Sequence, residues 1–483
     1  MARLVHLPME LLLYTLGLLP RSHLLRCAEV SRAWRNTTIA DCRYYLIAKL
    51  DGQPTIPSSH GDGFLAVATH ALSRQLRFSI RVNLRRYSAQ RELYAHLMLL
   101  VAEAICIARE LVVHMRLVVP SCVVPQMNGL LSSPGAWPGL RVLELKVFML
   151  HIGESTRLHM LAGCLFRDGA PKLHAVWLDD IWFDAEARNS WKEFHVVRHL
   201  RLQFATLPLL DSEFDTGEIF PLTRQLYLDT FSTPLAGQTV QLKLGTRLRS
   251  LHLEENTSTV LRGISVESLA LIPRIHIVIH RHHLDPSAFG TDASRLVTAL
   301  PAGPRHAHVS TSVMSTSSLD EWTTWDIVIT HTASGSMRKT HGLGLVHNFD
   351  RYVVHGRWAD GITHLTLPTQ VMPLFVNSGA WNELEVLVVT VTNHWLEWEE
   401  YSWEGAAPVF VPALSTMRLV SVTDMFSIEA PIIQIMDMTF GNSGQPIRLE
   451  VQGCSWPDAI DPRQVGTPIW DFIVWNVDEL LKH

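Results

Sequence analysis

One spacing of apolar residues, L-x-x-L-x-L, recurs along most of this chain and restricts what it can fold into. It reads Leu140/Leu143/Leu145, Leu173/Val176/Leu178, Val197/Leu200/Leu202 and Leu248/Leu251/Leu253. It resumes as Val266/Leu269/Leu271, Ile362/Leu365/Leu367, Leu384/Leu387/Val389 and Leu414/Met417/Leu419, with Thr223/Leu226/Leu228 splitting the interval between Val197 and Leu248. The closing L-x-L alternates as a half-buried strand does, because side chains on a strand point to opposite faces in turn. With 47% hydrophobic residues, a single copy arises easily by chance. The weight lies elsewhere: most copies follow a turn or a Gly/Pro, and charged residues such as Arg249 and Glu254 occupy alternating sites. At 483 residues the chain exceeds one ordinary core, so it is either about two to four domains or one elongated array.

Leu248 to Asn256 extends the pattern to L-x-x-L-x-L-x-x-N. The array resembles leucine-rich repeats of an irregular kind, whose units run about 20–29 residues. That resemblance implies one strand per unit followed by a helix or loop, and an α/β solenoid as the body. The alternative is a non-repetitive mixed α/β domain. Residues 273–361 fit the repeat poorly: Ile275, Ile277 and Ile279 alternate as a strand, and Trp325 to Thr330 should pair with Ser336 to Thr340 across Ser334-Gly335. Ser310 to Ser318 reads as an exposed loop. At the end, Thr467 as cap, Pro468 at the first position, and Ile469, Trp470, Ile473, Val474, Val477, Leu480 and Leu481 predict a closing amphipathic helix.

The N-terminal stretch has a different pattern. Pro8 suits a first helical position, and Met9, Leu12, Leu13, Leu16 and Leu19 fall on one helical face with Leu11 and Leu18 on another. A helix apolar on two faces needs two coverings, one from its own module and one from elsewhere. Pro20 stops it, Ser22 can cap the next, and Leu24, Cys27, Ala28, Ser31 and Trp34 form a stripe there. Glu10 within the apolar run, Pro8 before it and the lack of a small-residue cleavage site argue against a secretory signal. Asp41 is a candidate cap for a further helical segment carrying Leu46, Ile47 and Leu50.

Leu7-Pro8, Glu10-Leu11-Leu12, Leu16, Leu19-Pro20, Leu24, Cys27, Val30-Ser31-Arg32 and Trp34-Arg35 together resemble the F-box. The family pattern departs at Thr15, where Ile is usual, and at His23, where Asp is usual. The resemblance implies a three-helix module that docks a substrate receptor onto the Skp-type adaptor of a cullin–RING ubiquitin ligase. Leu7, Pro8, Glu10, Leu11, Leu12, Leu16, Leu19, Leu24, Cys27, Val30, Ser31 and Trp34 are then the adaptor-binding set. An ordinary helical hairpin packed on its own domain is the competing reading. Residues 1–50 carry seven Lys/Arg against three Asp/Glu, while the whole chain has a net charge of −5. A basic module on an acidic body suits an acidic partner, which is what the resemblance implies. Asp51 to Gly63, rich in Gly, Pro and Ser, reads as a linker, giving 1–50 as F-box module, 51–63 as linker and 64–483 as substrate-binding body.

No phosphate loop, nucleophile elbow or HExxH helix occurs, so the chain is expected to be non-catalytic and without cofactor. His280/His282/His283 and His306/His308 could each present two metal ligands, but neither has a third that spacing identifies. No metal site is assigned. The six cysteines (27, 42, 106, 122, 164 and 454) form no CxxC pair and read as reduced thiols inside the cell, in cytoplasm or nucleus. No apolar run reaches the ~18–20 residues of a membrane span. Six arginines without an acid lie between Arg74 and Arg91, but Leu76, Phe78, Ile80 and Val82 alternate with them as a strand, so no nucleic-acid site is assigned. From Trp358 to Met417 there is no Lys or Arg, and Trp395, Glu397, Trp398, Glu399 and Glu400 crowd together. That cluster is the candidate target-binding set, for a basic protein ligand. The expected function is therefore the substrate-recognition subunit of an SCF-type (Skp–cullin–F-box) ubiquitin ligase. A repeat-built interaction scaffold is the alternative, and a metal-dependent enzyme a more distant one.

Overall fold

A computed structural model describes residues 9–19, 26–27, 30–31, 34–37, 46–51, 58–85, 91–148, 159–161, 165–183, 192–204, 214–230, 242–255, 259–279, 295–314, 322–344, 359–368, 381–391, 411–421, 426–427, 447–452, 454–455 and 470–474. The chain is mixed α/β. It divides into two compact units, one of residues 1–209 and 215–226, the other of 210–214 and 227–483.

The first unit begins with helix α1 (Met9–Leu18) and then builds a parallel sheet. Its strands are β1 (Leu46–Asp51), β2 (Phe78–Asn83), β3 (Val112–Pro120), β4 (Val142–Phe148), β5 (Ala175–Asp179) and β6 (His199–Phe204). Each pairs in parallel with the next. Parallel neighbours need a crossover. Helices α2 (Ser58–Arg74), α3 (Arg91–Ala108) and α4 (Val124–Leu131) supply the first three. In α2, Phe64, Ala68 and Ala71 are buried at i, i+4, i+7, while α3 buries Tyr94, Leu97, Met98, Val101, Ala104 and Ile105. From the connection before β4 onward, one buried aromatic ring per connection packs in line with the next. Trp137, Phe166, Phe194 and Phe220 are all buried, with successive ring centroids 5.8, 6.1 and 5.7 Å apart. Burying one such ring stabilises by roughly 1.5–3 kcal/mol, and edge-on pairing adds to that.

Strands β4, β5 and β6, and the segment after Thr223, are entered in the same way. The N–H of the first apolar position closes a turn on the carbonyl three residues earlier: Leu140 on Trp137, Leu173 on Ala170, Val197 on Phe194 and Thr223 on Phe220. The following residue then donates to its counterpart in the previous unit, as Arg141 to Val113, His174 to Arg141, Arg198 to His174 and Arg224 to Arg198. The L-x-L side chains point inward, with Leu143, Leu145, Val176, Leu178, Leu200 and Leu202 all buried.

The second unit repeats this entry at Leu248 on Gly245, Ile362 on Ala359, Leu384 on Trp381 and Leu414 on Val411. Its strands are β7 (Ser250–Glu255), β8 (Arg274–Ile279), β9 (Arg305–Met314), β10 (Trp322–His331), β11 (Met337–Gly344), β12 (Ile362–Pro368), β13 (Val386–Val391), β14 (Thr416–Ser421), β15 (Ile447–Gln452) and β16 (Trp470–Val474). β7–β8 and β8–β11 are parallel, then β11–β10 and β10–β9 antiparallel. From β9 onward, through β12 to β16, pairing is parallel again. The predicted hairpin of Trp325–Thr330 with residues beyond Ser334-Gly335 is present, with Thr330 opposite Met337. It explains why residues 273–361 depart from the repeat.

Several expectations are corrected. Leu46–Asp51 is a strand paired with Phe78–Asn83, not part of a helix: Ala48 and Leu50 are buried and Lys49 is exposed, a period of two. The expected linker 51–63 starts at the end of that strand and finishes inside α2, with 52–57 outside the described residues. Val266–Ala270 is a short helix capped by Ser265, whose hydroxyl accepts from the Ser268 N–H, so Val266/Leu269/Leu271 is not a repeat position. The strand that follows uses Ile272, Ile275 and Ile277, all buried, after a turn closed by Ile272 N–H on Leu269. Ser310–Met314 belongs to β9, with 315–318 outside the described residues. Trp470–Val474 is a strand on β15 and not a helix. β15 presents an open edge there, and a β-branched segment completes it.

Candidate functional site

Helix α1 shows the two-sided character its sequence predicts. Leu12 and Leu16, at i and i+4, are 2% and 0% exposed and form a core with Cys27, against which Leu19 and Trp34 pack. Burial pushes the Cys27 thiol above its ordinary pKa, so it acts as a small apolar residue. The backbone N–H of Trp34 donates to Ser31 Oγ at 3.2 Å, which starts the helical turn 34–37. Leu11 and Tyr14 on α1, and Val30 beyond it, are 52%, 69% and 56% exposed. Thr15 turns its hydroxyl back to the Leu11 carbonyl at 2.7 Å, satisfying itself inside the helix. Of the expected adaptor-binding set, Leu12, Leu16 and Cys27 are thus internal, and Leu11 and Val30 face out. Leu7, Pro8 and Leu24 lie outside the described residues, as does the side chain of Glu10. Tyr14 was missed by sequence reasoning, although its place three residues after Leu11 puts it on the same face.

The other expected site, Trp395, Glu397, Trp398, Glu399 and Glu400, lies outside the described residues. Of the remaining tryptophans in that acidic segment, Trp381 is buried in the second unit's core. His280, His282 and His283 are also outside them. His306 and His308 sit on β9, and the His306 ring lies 4.2 Å from that of His364 on β12. Among the described residues no group of three His, Cys, Asp or Glu side chains is placed to hold a metal.

A further surface was not anticipated. The central residue of each L-x-L points away from the core, and strand register brings these residues into rows. In the first unit, one row runs Arg81, Arg116, Glu144, Trp177, Arg201 across five strands. Glu144 takes His114 Nε2 at 2.8 Å on one oxygen and faces Arg116 Nε at 3.3 Å with the other. The next row places Lys146 against Asp179. Arg116, Glu144, Trp177, Arg201, Lys146 and Asp179, with Asn83, Arg85 and Gln203, line an open groove of about 290 Å³. In the second unit the same positions carry rings: Tyr227 stacks on His252 at 4.2 Å, and His252 meets His276 edge-on at 4.5 Å. The signal was present in sequence as the middle letter of each L-x-L.

Residues 4–43 match the F-box-like family model, so the chain carries an N-terminal F-box-like domain. No curated protein matches the chain. Among the described residues no helix is long and apolar enough to cross a membrane.

Proposed function

We propose that this protein is a non-catalytic receptor subunit of an SCF-type ubiquitin ligase, working inside the cell. Its F-box-like domain holds a Skp-type adaptor, and its strand-repeat body, an irregular leucine-rich-repeat-like array, holds a protein target. The observation that carries this reading is α1, whose Leu12 and Leu16 fill its own module while Leu11 and Tyr14 stand exposed, as does Val30 beyond the helix. The mechanism is proximity: two binding sites on one chain raise the effective concentration of target lysines near the charged ubiquitin carrier. The repeat reading of the body is supported by the recurring turn closure and inter-unit hydrogen bond that introduce its strands.

Co-expression with a Skp-type adaptor and size-exclusion chromatography test the proposal. The wild-type chain should co-elute with adaptor. Leu11→Asp/Tyr14→Ala should lose it at an expected cost of about 2 kcal/mol or more in binding, and should keep its melting temperature because both side chains are exposed. Undiminished co-elution of the double variant would refute the docking face.

A further inference from the structure

We infer that the open sheet face of the first unit is a docking surface for an acidic, extended segment of a protein partner, read by Arg116, Trp177 and Arg201. This deepens the receptor reading above, on which it rests, and it gives the partner the charge opposite to that expected from the Trp395–Glu400 cluster.

Three observations support it. The first is exposure: Trp177 is 41% exposed in the middle of a sheet row, where a tryptophan is a large, rigid contact surface. The second is charge. The groove is lined by Arg85, Arg116, Lys146 and Arg201 against only Glu144 and Asp179, and Arg81 continues the row, in a chain whose net charge is −5. Glu144 is already engaged by His114 and Arg116, and Asp179 by Lys146, so the carboxylates are taken up within the face. Arg116 meets Glu144 through Nε, and its side chain is 53% exposed. The excess is cationic, and it suits carboxylates from outside. The third is spacing. Neighbouring strands lie about 4.8 Å apart. Trp177 is therefore about 5 Å from Arg201 and about 10 Å from Arg116 along the row. An extended segment advances about 3.3 Å per residue. A carboxylate over Arg116, an apolar residue about three positions on over Trp177, and a second carboxylate one or two positions later would match the row. A nucleic acid fits less well, because phosphate contacts favour a continuous basic track and here Glu144 interrupts the row.

The test uses the full-length protein and fluorescein-labelled synthetic peptides of about ten residues, long enough to cross the row. One carries Glu and Phe at the spacing above, a second has Gln in place of Glu, a third has Lys, and a single-stranded RNA of similar length serves as the competing class. Anisotropy titrations should show the Glu peptide binding at least about tenfold more tightly than the Gln peptide, the Lys peptide not at all, and weakening between about 50 and 300 mM salt. Arg116→Glu and Trp177→Ala should each weaken the Glu peptide about fivefold or more, a hot-spot effect. Both should still fold and capture adaptor; Arg116→Glu should melt somewhat lower because it sets a carboxylate beside Glu144. Arg116→Gln provides a milder second variant with the same expected direction. Equal affinity for the Glu and Gln peptides, no binding of any peptide, or full binding by the folded variants would overturn the proposal, and tighter binding of the RNA would overturn its choice of partner. Adaptor capture by the same preparation is read separately, so a failed face and a failed receptor assignment give different results.

Discussion

Arg338 allows the sharpest prediction about what holds the second unit together. Its side chain is 2% exposed on β11, and its guanidinium donates to five backbone carbonyls: Nη1 to Ile272, Pro273 and Met337 at 3.0, 3.2 and 3.0 Å, Nη2 to Leu269 and Ala299 at 3.0 and 3.3 Å. Burial pulls its pKa down to about 10, so at neutral pH it is still a cation. Arg338→Met keeps the stem and removes every donor. Leu269 and Pro273 retain the backbone N–H groups of Ile272 and Met337, but the carbonyls of Ile272, Met337 and Ala299 lose this donor. Buried acceptors left unpaired cost about 1–3 kcal/mol each, offset in part because no charge remains to be desolvated. The net loss should be about 3–5 kcal/mol. For a unit of this size that lowers the melting temperature by roughly 10 °C. Arg338→Lys, which keeps the charge but not the fork, should fall between. Calorimetry of the full chain should show the transition of the second unit moving while adaptor capture by the first stays intact. A Met variant within about 0.5 kcal/mol of wild type, the range of ordinary surface changes, would refute the reasoning.

Two further perturbations follow from the geometry. At Gly139, a Cβ would stand 2.7 Å from the Glu110 carbonyl oxygen and 2.9 Å from that of Val112, so Gly139→Ala must displace backbone; it should lower stability by about 1–3 kcal/mol, checked by thermal melting, whereas Gly63→Ala in open space should not. Burial holds the imidazoles of His276 and His364 below the ordinary range; Lys339 and His341 reinforce this at His276 against Asp326 and Glu254, and His306 reinforces it at His364 against Glu385. Between those lowered values and about 6.5 the unfolded chain binds more protons than the folded one, so stability should fall as pH drops through that window, and His276→Asn should flatten the fall in melting temperatures measured from pH 7.5 to 5.

Much of the strand framework was legible because each strand buries two residues at a period of two behind a turn. Leu143/Leu145, Leu200/Leu202, Leu251/Leu253 and Leu387/Val389 all read correctly for that reason. The antiparallel hairpin at Ser334-Gly335 was legible from its turn residues and the flanking alternation. Of the docking module, the apolar stripe Leu12, Leu16 and Cys27 was visible, but its division into internal and outward residues was not, since helical spacing alone gives both faces without saying which is covered.

The helix–strand errors arise where a short apolar pattern fits both: three apolar positions at i, i+3 and i+5, for one, satisfy a short helix almost as well as a turn followed by a strand. Val266/Leu269/Leu271 fits both, and Ser265 decides for helix by capping it; the strand then begins one turn later, leaving Leu271 68% exposed. At Leu46–Asp51 the helical reading counted Leu46, Ile47 and Leu50 and passed over Ala48, which is fully buried opposite Ile80 because strand pairing needs a small residue as readily as a large one. At Trp470–Val474 the apolar pattern is ambiguous, and the neighbour decides: β15 accepts a parallel partner from Ile447 to Val451. What the true units share is a turn closed on the residue three before the first apolar position, which in several of them is a buried apolar residue, Trp137, Phe194, Phe220, Trp381 and Val411. Where that residue is large and apolar it fills the core behind the turn while the strand residues fill it in front, and a four-point pattern then marks the entry; at Leu248 and Ile362, entered after Gly245 and Ala359, the turn closure alone marks it.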